Sequence, residues 1–203
     1  ELSHLVKAKS ILQPKLKLKL IDEKHGSGTQ EFYHDGSLSD YLIGANTPST
    51  DYLPNGTYHG TIDGDTYVLD WSAIWLPEST EPLQESYVNL IPTMYGGTHV
   101  NAFRTGLIDS MREFCDRRNL LPRNIKLSPE DIWKNVSFIL SFKMSNPQFS
   151  GQTKGKLQSN HLLASLTSQL KDKFALWLNK HSDAGEKLAE LAIKNAQVRI
   201  LSS

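Results

Sequence analysis

Between residues 97 and 118, Val100, Phe103, Leu107, Met111 and Phe114 recur at intervals of three and four. That spacing winds a single apolar stripe down a helix of several turns. A helix with such a stripe is stable only when a second layer covers it, so the flanking segments must supply one. "TYHGTIDGDTYVLDWSAIWLP" (57–77) reads as two strands about the Asp63–Gly64 turn, a strong hairpin signal. "ESYVNLIP" (85–92) reads as one further strand and "VSFILSFKM" (136–144) as another, more apolar one. Strands and helices are mixed without a repeat, which places the chain in the α/β or α+β class.

The remaining segments have local signatures. In "ELSHLVKAKSIL", Leu2, Leu5, Val6 and Leu12 fall near one helical face, and Pro14 ends that helix. "LKLKLID" (16–22) alternates, with Leu16, Leu18 and Leu20 on one side and Lys17 and Lys19 on the other. The turn "KHGSG" and the strand "TQEFYHD" complete a hairpin. Gly26 and Gly28 are turn glycines there, since no helix follows to make a phosphate loop. "DGSLSDYLIGAN" (35–46) predicts a short helix, followed by a polar loop through Pro54. "SPED" (128–131) predicts a capping box, with Ser128 as cap, Pro129 in the first turn and Asp131 reaching back. Two helices follow residue 160, the second expected to open on a similar box, "DAGE" (183–186).

At 203 residues, with 38% apolar and 22% charged residues, the chain can bury a core. No run of eighteen apolar residues spans a membrane, and residue 1 is not followed by a secretory leader. The absent initiator methionine suggests a piece of a longer protein. Cys115 has no partner for an internal disulfide, which fits a reducing cytoplasm. Net charge is zero but unevenly spread: residues 22–87 hold twelve acids against Lys24 alone, and 134–203 hold ten bases against four acids. A basic C-terminal part could face a polyanion, or its lysines could simply be solvated.

Few residues suggest chemistry. The seven histidines show no metal-ligand spacing, so no metal site is expected. His99 opens a helix and reads as a capping or packing residue, and Cys115 reads as core beside Phe114. There is no nucleophile elbow, Walker loop or dinucleotide fingerprint. What stands out is "NPQFSGQTKGKLQSN" (146–160), between an apolar strand and a helix, with Gln152, Thr153 and Lys154 flanked by Gly151 and Gly155. An ammonium on such a loop suits a phosphate, with the Gln152 amide as a second donor. Spacing alone favours an ordinary surface loop.

The ordered combination of "ESYVNLIPTMYGGTHVNAFRTGL", "REFCDRRNLLPRNIKLSPEDIW" and "NPQFSGQTKGKL" resembles the B subunits of bacterial type II topoisomerases. The middle segment is more similar to the topoisomerase IV than to the gyrase kind, and "LVKAKSILQPKLKLKLIDE" matches too. The resemblance implies that residues 1–36 are the last helix and hairpin of a GHKL ATPase domain and 37–203 a transducer domain. The transducer fold it implies is a two-layer α/β sandwich with a left-handed βαβ crossover, shared with galactokinase-type kinases. It further implies ATP with Mg²⁺ in the full-length protein, and no nucleotide bound by this part alone. The ATPase domain's acidic base, Mg-binding Asn and glycine-rich lid, and the cleavage domain's acidic motif, have no counterpart here. Implied partners are DNA, the topoisomerase IV A subunit in a heterotetramer, and a second B subunit, all in the bacterial cytoplasm. Lys154 matches the lysine that contacts the terminal phosphate, with Gln152 beside it. Arg104 matches a DNA-facing arginine, and Arg112, Arg117 and Arg118 are weaker matches because Asp109, Glu113 and Asp116 could neutralise them. A gyrase B equivalent and a stand-alone binding module are the competing readings.

Overall fold

The computed structural model describes residues 2–13, 16–21, 29–32, 36–46, 51–79 and 81–203. Pro14, the turn about Gly26 and Gly28, and the far end of the second strand of the N-terminal hairpin lie outside the described residues. The chain forms two compact units, residues 1–48 and 49–203.

In the first unit, helix α1 (Leu2–Leu12) packs on the antiparallel pair β1 (Leu18–Ile21) and β2 (Thr29–Phe32). Lys17 and Lys19 both reach Glu31, at 2.7 and 3.2 Å. Their hydrogen bonds hold the Glu31 carboxyl below its ordinary range. The expected alternation is present but only partly buried: Leu18 and Leu20 are half-buried, whereas Leu16 is 45% and Ile21 63% exposed. Helix α2 (Leu38–Ala45) opens on a capping box of Ser37 and Asp40, which satisfies two otherwise unpaired amides.

The second unit is built on one sheet of five strands. These are β3 (Leu53–Asp63), β4 (Tyr67–Trp75), β5 (Gln84–Val88), β6 (Ile91–Pro92) and β7 (Val136–Met144), in the spatial order β3-β4-β7-β5-β6. The hairpin at Asp63–Gly64 forms as predicted, but β3 begins four residues early, at Leu53, with a bulge before Tyr58. β5 and β7 run parallel, joined by helix α3 (Thr98–Arg117) and the short helix α4 (Pro129–Trp133). A parallel pair needs such a crossover, because a hairpin cannot return the chain in the same direction.

Two sequence expectations are corrected. The single strand 85–92 is two strands, folded at Asn89 and Leu90, with φ of 47° and 66°. Asn89 tolerates the left-handed region, but one Asn among strand-forming residues is a weak turn signal. The turn is imposed from outside: the Asn89 amide side chain exchanges two 2.9 Å hydrogen bonds with the Met144 backbone, and the Asn89 N–H donates to Phe142 O. The capping box at 183–186 does not form. Helices α5 (Leu163–Lys180) and α6 (Ser182–Leu201) are separated by His181 alone, so residues 183–186 are already inside a helix. Gly185 serves packing instead, since a Cβ there would lie 2.8 Å from the Phe114 ring.

The core lies between one face of the sheet and the helices. Leu69, Trp71, Ala73 and Trp75 of β4 and Phe138, Leu140 and Phe142 of β7 alternate onto that face. They meet Phe103, Leu107, Met111 and Phe114 of α3 and Leu166, Leu170, Phe174 and Leu178 of α5, all at most 4% exposed. Each such side chain contributes roughly 1.5–3 kcal/mol by leaving water. α3 and α5 approach closely at Gly106, where a Cβ would lie 3.0 Å from Lys171 N, and Ser110 Oγ donates to Lys171 O at 2.6 Å. A buried polar chain ties α6 to the crossover: Asn195 donates to Asp131 O and Asn135 Oδ1, and Asn135 donates to Leu76 O. No helix of the described residues is long and apolar enough to cross a membrane.

Candidate functional site

The segment 146–160 leaves β7 and doubles back on itself as an arch. Ser150 N donates to Lys156 O at 2.9 Å and Gln158 N to Gln148 O at 2.7 Å, making a short ladder. Ser159 Oγ accepts from Gln148 N at 3.1 Å and closes the foot of the arch. Burial then sorts the residues by role. Gly151, Gln152, Thr153 and Lys154 are exposed, while Gly155, Leu157 and Ser159 are buried on the returning limb.

That limb lies along "TMYGGTH". Tyr95 N donates to Gly155 O at 2.8 Å, Leu157 N to Gly96 O at 3.0 Å, and Thr98 N to Leu157 O at 3.0 Å. Leu157 itself is 1% exposed and belongs to the core. The loop is therefore not the flexible connection its composition suggests; only its four-residue tip is free of the fold. At the tip, Gly151 and Lys154 have φ of 76° and 54°. A lysine pays a steric cost in the left-handed region that a glycine would not. The turn carries a long cation at a position where its backbone alone would favour glycine.

Below the limb, the N-terminus of α3 is pinned by buried hydroxyls and His99. Thr93 Oγ1 is 2.6 Å from Ser86 Oγ and 3.1 Å from His99 Nε2. With the proton on Nε2, His99 donates to Thr93, Thr93 to Ser86, and Ser86 to Thr93 O. His99 is fully buried and stacks on Phe142 at 5.9 Å. Burial pushes its imidazole down to about 4, so it stays neutral near pH 7. Its role is packing, as expected, and it also completes a hydrogen-bonded chain.

Arg104 is on the exposed side of α3 but is not free. Its guanidinium is 3.4 Å from Glu130 Oε2 and 5.9 Å from the centre of the Trp133 ring. The weaker arginines are engaged too. Arg112 donates to Leu127 O, Arg117 is 3.9 Å from Glu113, and Arg118 is 3.6 Å from Glu186 and lies over the Phe114 ring. Neutralisation within the helix thus holds for Arg117, while Arg118 finds its carboxylate on α6. Arg104 lies far along the chain from the tip, and no described contact joins it to Gln152 or Lys154.

Among the described residues, no group of three or more His, Cys, Asp or Glu could hold a metal ion. A groove of about 270 Å³ opens between the start of β3 and the α5–α6 junction, lined by Tyr52, Trp177, His181 and Lys187 among others. None of Gln152, Lys154 or Arg104 lines it. The donor set of the tip, one ammonium and one carboxamide, is chemically suited to a phosphate but does not form a nucleotide pocket by itself.

The mixed α/β fold of this chain is shared with solved topoisomerase IV and gyrase B structures. The chain belongs to the DNA gyrase B family, whose sequence model matches residues 37–203. It is 49% identical over 199 residues to the B subunit of DNA topoisomerase 4 from Pseudomonas aeruginosa, and 50% identical to its counterpart from Salmonella typhimurium. Each alignment takes in 98% of this chain but 31% of the relative, so the chain spans about a third of the curated relatives' length. Among solved structures, the topoisomerase IV ATP-binding domain of Francisella tularensis, in complex with a small-molecule inhibitor, superposes with a TM-score of 0.82. It is 30% identical, with 98% of this chain and 53% of that one covered.

Proposed function

We propose that this chain is the transducer part of a bacterial topoisomerase IV B subunit, coupling ATP binding and hydrolysis to DNA strand passage. In that reading residues 1–36 are the end of a GHKL ATPase domain and 37–203 the transducer, with a left-handed βαβ crossover. The family match beginning at residue 37 supports this boundary and the parallel β5/β7 pair supports a crossover, while the compact units themselves divide at 48/49 with α2 in the first. The observation that carries the function is the arch: a buried, hydrogen-bonded limb holding an exposed Gln152–Thr153–Lys154 tip.

The nucleotide, with Mg²⁺, supplies the phosphoryl group to be transferred to water. The chain's own contribution is positional and electrostatic. The Lys154 ammonium neutralises charge on the terminal phosphate, and the Gln152 carboxamide donates a hydrogen bond to it. As the group separates, negative charge builds on the departing bridging oxygen beside the terminal phosphate, so the Lys154 ammonium matters more to turnover than to nucleotide binding. DNA would pass the Arg104 face of α3 with sequence-independent, salt-sensitive contacts. The partners in this reading are the topoisomerase IV A subunit and a second B subunit, acting in the cytoplasm.

In the full-length protein, Lys154→Ala should lower kcat for ATP at least tenfold with KM changed less than threefold. Wild-type ATPase and relaxation rates in that variant would refute the reading. Calorimetry of the 203-residue chain with ATP should show no submicromolar binding, because one lysine and one glutamine cannot replace an adenine pocket.

A further inference from the structure

We infer that Gly97 and Leu157 are positioning residues for Lys154, forming a seat that makes the tip and helix α3 move as one body. The inference rests on the reading of Lys154 given above, and extends it from the tip to what holds the tip.

Several observations meet at this seat. Gly97 has φ 123° and ψ −153°, a combination that residues with a Cβ essentially never adopt. A Cβ on Gly97 would also lie 2.5 Å from Leu157 N and still closer to its carbonyl oxygen. Only glycine lets the limb lie directly on the backbone that opens α3. Around this contact the limb is held by the amides of Tyr95, Leu157 and Thr98, each bonded across the gap. Thr98 Oγ1 adds polar contacts at 3.4 Å to Leu157 O and 3.5 Å to Asn160 Oδ1. Leu157 sends its side chain into the core, so the limb cannot lift without exposing it.

The mechanical consequence follows from where these bonds end. Thr98 is the first residue of α3, and His99 beside it is locked through Thr93 to Ser86 of β5. A pull on the Lys154 tip is therefore delivered to the start of the crossover helix, not absorbed by a slack loop. Gaining or losing a phosphate at the tip would displace α3 or break the seat; three backbone hydrogen bonds and a buried leucine favour the first. The left-handed conformation of Lys154 directs its side chain from a turn whose two feet are both anchored.

The seat is tested in two arms that can fail separately. In the first, amide hydrogen exchange is measured on the 203-residue chain. Wild type should protect Tyr95, Thr98 and Leu157 at least tenfold more than residues 151–154. Gly97→Ala should erase that difference while the Phe103 and Leu140 amides stay protected. Gly151→Ala strains the tip but meets nothing within 4 Å, and should leave the seat amides unchanged. If Gly97→Ala fails to fold, Thr98→Val serves, with at least threefold faster exchange expected at Leu157. Unchanged exchange at Leu157 in the folded variant overturns the seat, whatever Lys154 does.

In the second arm, ATP turnover is measured in the full-length protein. Gly97→Ala should lower kcat at least tenfold with KM within twofold, and combined with Lys154→Ala should do no more than Lys154→Ala alone. Fully multiplicative losses would overturn the positioning role while leaving Lys154 itself intact. If Lys154→Ala alone leaves turnover unchanged, the reading of Lys154 fails and the positioning role fails with it, but the exchange arm still judges the seat.

Discussion

Protonation of His99 should destabilise the second unit, and the structure sets the size of the effect. The imidazole is fully buried, bonded through Nε2 to Thr93 and stacked on Phe142. Burial lowers its pKa from 6.5 to about 4. The unfolded chain therefore binds a proton below pH 6.5 that the folded chain resists until pH 4. Stability from this group is intact above pH 6.5 and is lost as pH falls through that window. At about 1.4 kcal/mol per unit, the loss is about 2 kcal/mol between pH 7 and pH 5 and about 3 kcal/mol below pH 4. Carboxylates titrate at the lower end of the same range, so the measurement must be differential. His99→Gln keeps an amide donor where Nε2–H lies but has no proton to gain. Urea unfolding of both proteins can be followed by tryptophan fluorescence, since all four tryptophans lie between residues 71 and 177, inside the second unit. Wild type should lose about 2 kcal/mol more than the variant between pH 7 and pH 5. Parallel curves for the two would refute the buried, neutral imidazole. Because Thr98 is the neighbour of His99 and holds Leu157, mild acid should also lower the exchange protection factors at the seat before global unfolding.

Other perturbations have outcomes set by single contacts. Burial, with Asp116 adding to it, pushes the Cys115 thiol up to about 11, and the side chain is fully buried. A thiol reagent at pH 8 should therefore label the chain only as fast as it unfolds, and rapid labelling of native protein would contradict that. Gly106→Val puts a branched side chain where even a Cβ meets α5 at 3.0 Å; thermal melts should show about 1–3 kcal/mol lost to overpacking. Arg199→Ala leaves the buried Asp131 carboxylate without the guanidinium that bonds it at 2.9–3.3 Å. Arg199 is half exposed, so water softens the loss, and urea unfolding should show a lower midpoint than wild type. In the full-length protein, Arg104→Gln should halve or abolish DNA stimulation of ATPase with basal hydrolysis unchanged; equal loss of both would indicate damaged folding through the Glu130 and Trp133 contacts.

Local rules were enough where one segment contains its own cause. The Val100–Phe114 stripe specifies α3, and Ser128 with Asp131 specifies the start of α4, because both signals act within a turn or two of backbone. The glycine-flanked tip and its lysine were legible too, as was the family, since ordered motifs persist in the chain whatever its surroundings. The turn at Asn89–Leu90 was not, because its positive φ angles are held by Met144 and Phe142, more than fifty residues away. Nor was the failure of a cap at 183–186, which follows from α6 beginning directly after His181 with Gly185 against Phe114. Arg104 was placed by resemblance alone, and its engagement with Glu130 and Trp133 of α4 became visible only in the fold. The sharpest division falls within one loop. Composition alone placed Gln152, Thr153 and Lys154 between two glycines in a polar loop. Whether that tip is slack or seated depended on Gly97 meeting Leu157 sixty residues on. Backbone-to-backbone contact of that kind leaves no periodicity in a sequence, only a glycine whose reason lies elsewhere in the fold.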